Sequence, residues 1–275
     1  MTSFRPRTWL RTRAGSLADR LFPDLVGAAE QADAPGRFRA LRQLIIFSRL
    51  QQGLQANDAA GIEAAQGQFW RSDAYDDFYD ETAERNESWF LNHHQDIVKA
   101  MGSQCARASY DRLIEIGCGN GFVLEHLAGK LPIRQLIGLD INPRVIARNT
   151  TRYQDNPRLS FQAGDAQSLL PSLLGDRSLL LSYGGVLEYF APESVTAIYR
   201  MMAASPGSAV ALVEPIDPAH DLTNDAASHT FGDEHSFSHN HPALLKAVGI
   251  AVVWQRELQV DGVRWLMLIG VSRTT

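Results

Sequence analysis

Three glycines directly after an apolar segment form the strongest chemical signal in this sequence. Gly117, Gly119 and Gly121 alternate with other residues, and the segment before them contains Glu115. Glycine adopts backbone angles that other residues avoid, and it has no Cβ to keep a ligand away. A strand that turns through such glycines into a helix therefore predicts a ligand site. The spacing is not the dinucleotide fingerprint G-x-G-x-x-G, whose third glycine would stand where Phe122 stands.

Two further carboxylates follow apolar segments that we interpret as the next two strands. Asp140 lies 19 residues after Gly121, where a carboxylate can accept both hydroxyl protons of a ribose. Asp165 follows the third strand, where it can accept a hydrogen bond from an exocyclic amine such as that of adenine. The alternative is that Asp140 caps a helix starting near Pro143 and that Asp165 caps a short turn through 166–170.

Residues 113–213 resemble the class I S-adenosylmethionine-dependent methyltransferases. The motif E/D-x-G-x-G-x-G of that family is matched by Glu115, Gly117, Gly119 and Gly121. The resemblance implies that the cofactor is S-adenosylmethionine and that the chain is an enzyme that transfers its methyl group.

The resemblance also implies a role for single residues around this motif. Glu115 would help to hold the methionine amino group, and Asp140 would contact the ribose. Ile141 would flank the adenine, while Asp165 and the backbone of Ala166 would contact it. Glu115 lies inside the first predicted strand, and the other four residues end or follow segments that we interpret as strands.

The fourth predicted strand runs into Tyr183-Gly184-Gly185, a segment that in this family often lies near the transferred methyl group. We therefore include Tyr183 among the cofactor-binding residues. Glu188 follows in the same segment and is either a substrate contact or a charge at the start of a helix.

An aromatic segment precedes the glycine motif, and in many members of the family such a segment folds over the cofactor. An aromatic face beside a sulfonium gains cation–π attraction and excludes water. Tyr75 and Tyr79 are the best candidates because residues four apart share one face of a helix. The alternative is that these aromatics join the N-terminal region to the catalytic domain.

A histidine-rich segment at 214–241 is the candidate acceptor side. Its histidines alternate with acidic residues, and they are His220, His229, His235, His239 and His241. Neutral imidazole can take a proton from the acceptor, so His235 and His239 are candidate general bases. Two other interpretations are a divalent metal held by histidine and carboxylate, and a solvated polar loop. The spacing H-x5-H-x3-H-x-H matches no standard ligand motif, so we assign no metal ligands.

These histidines favour O-methylation of a small polar molecule such as a sugar or another hydroxylated metabolite. The alternatives are an N-methyltransferase acting on a small amine and a non-catalytic scaffold that only binds the cofactor. A dinucleotide-dependent oxidoreductase is disfavoured by Phe122.

Short apolar segments that alternate with helical patterns predict an α/β fold. The sheet is predicted to have seven strands, mostly parallel and doubly wound, as in the Rossmann-like methyltransferase fold. Asp261-Gly262 between two apolar segments predicts a hairpin and hence an antiparallel last strand. We place strands near 112–117, 135–140, 158–162, 178–183, 208–213, 250–257 and 263–271, and helices near 120–130, 143–154, 191–204 and 241–248.

Two domains are predicted. Residues 1–100 would form an N-terminal helical extension and cap, because apolar residues recur there at helical spacing, with a last helix reaching Met101. Residues 101–275 would form the methyltransferase domain. A homodimer through the N-terminal helices is compatible with this division.

Composition narrows the classes of partner and compartment. The net charge of −5 gives no positive field to hold a phosphate backbone, so we expect no nucleic-acid partner. Two cysteines, Cys105 and Cys118, are too few for a disulfide framework, which suits the cytoplasm. No apolar segment is long enough to span a membrane.

Overall fold

The computed structural model describes residues 6–25, 38–72 and 76–273. It divides into two compact units. The first consists of Met1–Glu81 together with Ile141–Arg144, and the second of Thr82–Asp140 together with Val145–Thr275. Among the described residues, no helix is both long and apolar enough to cross a membrane.

Helices make up the described part of the first unit. They are α1 (Pro6–Leu21), a short 3-10 turn (Pro23–Leu25), α2 (Arg39–Ala56) and α3 (Ala59–Arg71). Gly15 allows α1 and α2 to approach closely, because a Cβ at this position would lie 2.3 Å from the carbonyl oxygen of Leu44. Asp58 caps α3 by accepting a hydrogen bond of 3.0 Å from the N–H of Gly61.

Two helices, α4 (Asp76–Asn92) and α5 (Gln95–Arg107), stand where one helix was predicted to reach Met101. Phe90, Ile97 and Met101 are buried in the core against the sheet. The predicted domain boundary at 100/101 therefore differs from the structure, which divides at 81/82. Residues 82–100 were predicted to belong to the N-terminal extension because of their helical pattern. Their apolar side chains instead pack in the core of the second unit.

The second unit is built on the predicted seven-stranded sheet, in the order β3-β2-β1-β4-β5-β9-β8. Strands β1 to β5 run parallel, β9 is antiparallel to β5, and β8 is antiparallel to β9. The α/β class and the antiparallel end are thus confirmed. The strands are β1 (Arg112–Ile116), β2 (Gln135–Asp140), β3 (Leu159–Ala163), β4 (Ser178–Tyr183), β5 (Ala209–Ile216), β8 (Ala251–Val260) and β9 (Val263–Val271).

Hydrophobic clusters cover both faces of this sheet, because successive residues of a strand point to opposite faces. Leu113 belongs to one cluster and Ile114 to the other. The remaining helices are α6 (Phe122–Ala128), α7 (Pro143–Arg152), α8 (Ala166–Leu173), α9 (Pro192–Ala203) and α10 (His241–Ala247), with a 3-10 turn at Leu187–Tyr189.

Two elements were not predicted as such. Residues 166–173 form the regular helix α8, where the sequence indicated only a turn. The histidine-rich segment contains a small two-stranded sheet, β6 (His229–Phe231) paired antiparallel with β7 (Ser236–Ser238). The candidate acceptor segment is therefore partly a hairpin rather than an irregular loop.

Gly138→Ala is expected to destabilise the second unit. A Cβ at this position of β2 would lie 2.7 Å from Cys118 Sγ, 2.7 Å from Phe161 Cδ1 and 2.8 Å from Leu124 Cδ1. Overpacking of this kind costs about 1–3 kcal/mol. The control is Gly102→Ala in α5, where nothing lies within 4 Å and the better helix former should add up to about 1 kcal/mol. Urea unfolding of both variants measures the difference, and equal stabilities would contradict the packing described here.

Candidate active site

The glycine turn joins β1 to α6 in the conformation that the sequence predicted. Gly117, Gly119 and Gly121 have φ angles of 68°, 50° and 76°, a region that side chains other than glycine rarely adopt. Space is also restricted, because a Cβ on Gly117 would lie 2.6 Å from Val186 and one on Gly121 would lie 2.6 Å from Tyr153. Both constraints require glycine at these two positions.

Side chains at the end of α7 hold the turn from one side. Asn149 donates a hydrogen bond of 2.7 Å to the carbonyl of Gly119, and the hydroxyl of Tyr153 donates one of 2.9 Å to the carbonyl of Asn120. These bonds occupy backbone acceptors that a sharp turn would otherwise leave without partners. The sequence provided no signal for either residue, since both act through a part of the chain about thirty positions away.

Two carboxylates lie at the turn, one at the end of β2 and one within β1. Asp140 is 3% exposed, and its Oδ2 accepts a hydrogen bond of 3.1 Å from the N–H of Gly119. Glu115 is 2% exposed, and its Oε2 has no hydrogen-bond partner among the residues that the structure describes. Burial, and after it the charge of Asp140, raises the pKa of Glu115 well above its usual value. A ligand ammonium beside Glu115 would offset this cost, so these residues fit the amino group of S-adenosylmethionine.

Asp165 caps a helix, which is the alternative that the sequence left open. Its Oδ1 accepts hydrogen bonds from the N–H and the hydroxyl of Ser168, at 3.0 and 3.2 Å. Ala166 is the first residue of α8, whose first N–H groups have no partner within the helix. The capping role leaves the predicted adenine contact of Asp165 and Ala166 untested.

For the remaining predicted cofactor residues, the structure gives a position or a degree of burial but no contact that supports a role. Ile141 follows Asp140 directly and is half-buried. Tyr75 lies outside the described residues, and Tyr79 is half-buried on α4 in the first unit. The aromatic cap therefore stays a prediction.

Tyr183, at the end of β4, is paired with a histidine that no sequence motif indicated. Its hydroxyl lies 2.9 Å from Nδ1 of His94, and Phe90 packs edge-on against its ring at 5.1 Å. His94 is fully buried, and burial lowers its pKa to about 4, so the imidazole is neutral and accepts from or donates to the hydroxyl. Burial, followed by the charge of Glu115, raises the pKa of Tyr183. Tyr183 is thus a neutral phenol held by His94 at the end of β4.

A second group of carboxyls lies on the candidate acceptor side and consists of Glu188 after β4, Glu214 of β5 and Glu234 between β6 and β7. Glu214 of β5 is fully buried, and its Oε1 accepts a hydrogen bond of 2.5 Å from the Ser182 hydroxyl, while its Oε2 has no partner within residues 6–25, 38–72 and 76–273. Burial raises its pKa to about 7. Burial also raises the pKa of Glu188 well above its usual value, with Glu214 and Glu234 adding to the effect. The sequence signal for Glu214 is a single glutamate inside the apolar strand β5, and the predicted site did not include it.

His239 is held through both of its ring nitrogens, and the structure gives no support to its prediction as a general base. It is fully buried, and its Nε2 donates to the carbonyls of Leu187 and Phe190, both at 3.1 Å. Its Nδ1 lies 2.8 Å from the hydroxyl of Ser228 and accepts from it. Burial lowers the pKa of His239 to about 4. Because both ring nitrogens are engaged, His239 holds the segment after β4 in place and has no nitrogen left for an acceptor proton.

His235 is partly exposed, as a residue that takes a proton from an acceptor must be, so it stays a candidate general base. It lies in the turn between β6 and β7, is half-buried and has a φ of 55°. Its neighbour Glu234 accepts a hydrogen bond of 2.6 Å from the hydroxyl of Tyr189. This bond places the hairpin turn beside the segment that follows β4, where the family resemblance locates the transferred methyl group.

Glu214→Gln is expected to change how stability depends on pH. A carboxyl whose pKa rises from 4.5 to about 7 on folding stabilises the fold below about pH 4.5, and this contribution disappears as the pH rises through 7. The wild type should therefore lose about 3 kcal/mol relative to the Gln variant between pH 4.5 and 8. Urea unfolding across this range measures the difference, with Glu193→Gln on the exposed surface of α9 as the control. Parallel pH profiles of wild type and Gln variant would contradict the burial of an ionisable Glu214.

Comparisons with known proteins find a family match in the region of the seven-stranded sheet. The family described as "Methyltransferase domain" matches residues 113–205. Trans-aconitate 2-methyltransferase of Methylobacterium radiotolerans is 29% identical over 119 residues, covering 42% of this chain and 43% of the relative. The enzyme of the same name from Variovorax paradoxus is 27% identical over 121 residues, with 42% and 44% covered. The chain thus spans less than half the length of the curated relatives that it matches.

Solved structures of low sequence identity share the fold. Magnesium protoporphyrin IX methyltransferase from Synechocystis PCC 6803, with bound S-adenosylmethionine, has a TM-score of 0.55 at 14% identity and covers 76% of this chain and 96% of its own. An amino pentose methyltransferase from Micromonospora echinaspora has a TM-score of 0.51 at 16% identity and covers 70% and 95%. Residues 113–205 thus match a methyltransferase domain, and the glycine turn and the sheet order around them agree with the resemblance to the class I S-adenosylmethionine-dependent methyltransferases.

Proposed function

We propose that this protein transfers a methyl group from S-adenosylmethionine to a small polar acceptor, with a hydroxyl oxygen as the preferred acceptor atom. The observation that carries the proposal is Glu115, a buried carboxylate beside Asp140 and the glycine turn, one oxygen of which has no partner in the described part of the chain. A buried carboxylate persists as the charged form only beside a cation or strong donors. The amino group of the methionine moiety supplies that cation.

The other cofactor contacts that we propose follow the carboxyl ends of the strands. Asp140 binds the ribose hydroxyls, and Ile141 flanks the adenine. Asp165 and the Ala166 N–H contact the adenine edge, since Asp165 Oδ2 is not used in the cap of α8. Tyr183 is our candidate for the residue nearest to the sulfonium, and Tyr75 stays the sequence-based candidate for the aromatic cap. Ligands of open α/β sheets bind at this edge, which supports the assignment.

S-adenosylmethionine supplies an electrophilic methyl group on a sulfonium. An acceptor oxygen attacks the methyl carbon in line, the carbon–sulfur bond breaks with its electron pair going to sulfur, and the acceptor's proton leaves to a base. Most of the protein's contribution to such a displacement is positioning and exclusion of water. His235 is the base that we propose, because it is partly accessible and lies next to Glu234, which is bonded to Tyr189.

The acceptor class rests on the relatives and on the local charge. The curated relatives are named for trans-aconitate, a small polar molecule, which agrees with a small acceptor. A second candidate function, N-methylation of a small amine, is favoured by the carboxyls of Glu188, Glu214 and Glu234, because the charges of Glu214 and Glu234 add to the raised pKa of Glu188. A cationic amine would be attracted to such a group of carboxyls. The two functions differ in the acceptor that they require.

Two further expectations belong to this proposal. The N-terminal helices would form a homodimer, since Leu10, Leu17 and Leu21 of α1 are each more than half exposed. The net charge of −5 and the cysteine content agree with a cytoplasmic enzyme that has no nucleic-acid partner.

Isothermal titration with S-adenosylhomocysteine tests the cofactor site. The wild type should bind it and should not bind NAD. Asp140→Asn should weaken binding about tenfold or more, because a charged acceptor of the ribose hydroxyls is lost while an amide oxygen remains for the N–H of Gly119. The matched control is Asp155→Asn, an exposed residue after α7. No binding of S-adenosylhomocysteine by the wild type would overturn the proposed function.

A panel of hydroxyl, carboxylate and amine acceptors tests the acceptor side, with formation of S-adenosylhomocysteine as the readout. With a hydroxyl acceptor, His235→Gln should lower kcat about a hundredfold and leave cofactor binding unchanged. His93→Gln, on the exposed surface after α4, is the control. Turnover of amines alone, with a raised KM for the amine in Glu188→Gln, would replace O-methylation with N-methylation.

A further inference from the structure

Three side chains of the histidine-rich segment converge at a place separate from the glycine turn. They are His220, Asp225 and His229, and one ligand atom from each lies within 4.8 Å of the others. The rings of His220 and His229 are 4.4 Å apart, and Nδ1 of His229 lies 3.8 Å from Oδ2 of Asp225. His220 is buried, while Asp225 and His229 are partly exposed, so the group is reachable from solvent.

Each histidine of this group has one nitrogen facing Asp225 and the other facing a second protein group. Nδ1 of His220 lies 2.8 Å from the hydroxyl of Ser238, while its Nε2 lies 3.2 Å from the carbonyl of Asp225. Nε2 of His229 lies 3.8 Å from Oδ2 of Asp217, and its Nδ1 faces the Asp225 carboxylate. Histidines that bind metals are oriented in this way, by a carboxylate or hydroxyl on the nitrogen that does not bind.

We propose that His220, Asp225 and His229 bind a divalent transition metal, with Zn²⁺ as the best match. Imidazole nitrogens with a carboxylate suit zinc and its neighbours, whereas Mg²⁺ and Ca²⁺ prefer oxygen ligands alone. Zinc bonds of about 2.0–2.1 Å place tetrahedral ligand atoms about 3.4 Å apart. The 3.8 Å from His229 to Asp225 is close to this spacing and too long for a hydrogen bond between the two.

Binding the metal exchanges contacts of His220 without moving its ring far. Its Nε2 gives up the 3.2 Å contact with the Asp225 carbonyl and becomes a ligand, and its Nδ1–H then donates to Ser238. Water completes the coordination, as in sites with three protein ligands. Asp217 accepts from Nε2–H of His229 and orients that ring.

The surrounding backbone is already fixed for such a site. Arg264 of β9 donates to the carbonyls of Asp217 and His220, at 3.3 and 2.7 Å. Ser238 of β7 accepts a hydrogen bond of 3.0 Å from the N–H of Asp217. A metal on His229, the first residue of β6, would tie the hairpin that carries His235 to the segment after β5. The site would therefore order the candidate acceptor side, and it does not depend on the proposed function.

Metal titration of the full chain tests this proposal without cofactor or acceptor. After removal of metal with a chelator, Zn²⁺ should bind at one equivalent per chain in competition with a chromogenic chelator, and Ca²⁺ should not. Co²⁺ should give the visible absorption of a low-coordinate nitrogen and oxygen site. Asp225→Asn and His229→Gln should each weaken Zn²⁺ binding at least tenfold.

The surface variant His93→Gln is the matched control and should bind Zn²⁺ as the wild type does. Circular dichroism in the presence of chelator checks that each variant folds, and Asp225→Asn carries the test if His229→Gln does not fold. Absence of stoichiometric binding by the wild type, or unchanged affinity in the folded variants, would overturn the proposal. The cluster would then be an ion pair between His229 and its two neighbouring carboxylates.

Discussion

The hydrogen bond from the N–H of Gly119 to Oδ2 of Asp140 is the contact on which the candidate site depends. It joins the turn after β1 to the end of β2, the neighbouring strand of the sheet. The bond forms only if the turn passes through left-handed backbone angles and if no Cβ blocks the approach. All three glycines have left-handed φ angles, and a Cβ on Gly117 or Gly121 would lie too close to Val186 or Tyr153, so the motif is a requirement of backbone geometry before it is a binding motif.

Buried carboxyls impose the second constraint. Glu115 and Asp140 are both nearly inaccessible, and burial together with the charge of Asp140 raises the pKa of Glu115. Glu214, two strands away, is also a buried carboxyl, with one oxygen hydrogen-bonded and the other without a partner among the described residues. Such groups reduce the stability of a fold unless a ligand or a proton compensates them. Their presence at the carboxyl edge of a parallel sheet is therefore better explained by function than by stability.

The histidines of the segment 214–241 fall into two groups, those that hold the fold through hydrogen bonds and those that are accessible enough for chemistry. His239 connects β7 to the carbonyls of Leu187 and Phe190, and His241 lies 2.7 Å from the hydroxyl of Tyr199. Both are buried and neutral, and they position the segments around β4 and α10. His229 and His235 are the partly exposed members. Histidine thus has two uses on the candidate acceptor side. The buried histidines hold the backbone in place, and the partly exposed ones remain accessible to ligands.

The sequence alone determined the order of strands and helices, the glycine turn and the carboxylates at the strand ends. These features follow from local hydrophobic patterns and from backbone requirements that single residue types satisfy. Only the tertiary structure decided which histidine is buried, that Asp165 caps a helix, and that residues 82–100 belong to the core of the second unit. It also brought Glu214 to Ser182 and His94 to Tyr183, pairs 32 and 89 positions apart. Burial and hydrogen-bond partners depend on such distant residues, and no local pattern in the chain encodes them.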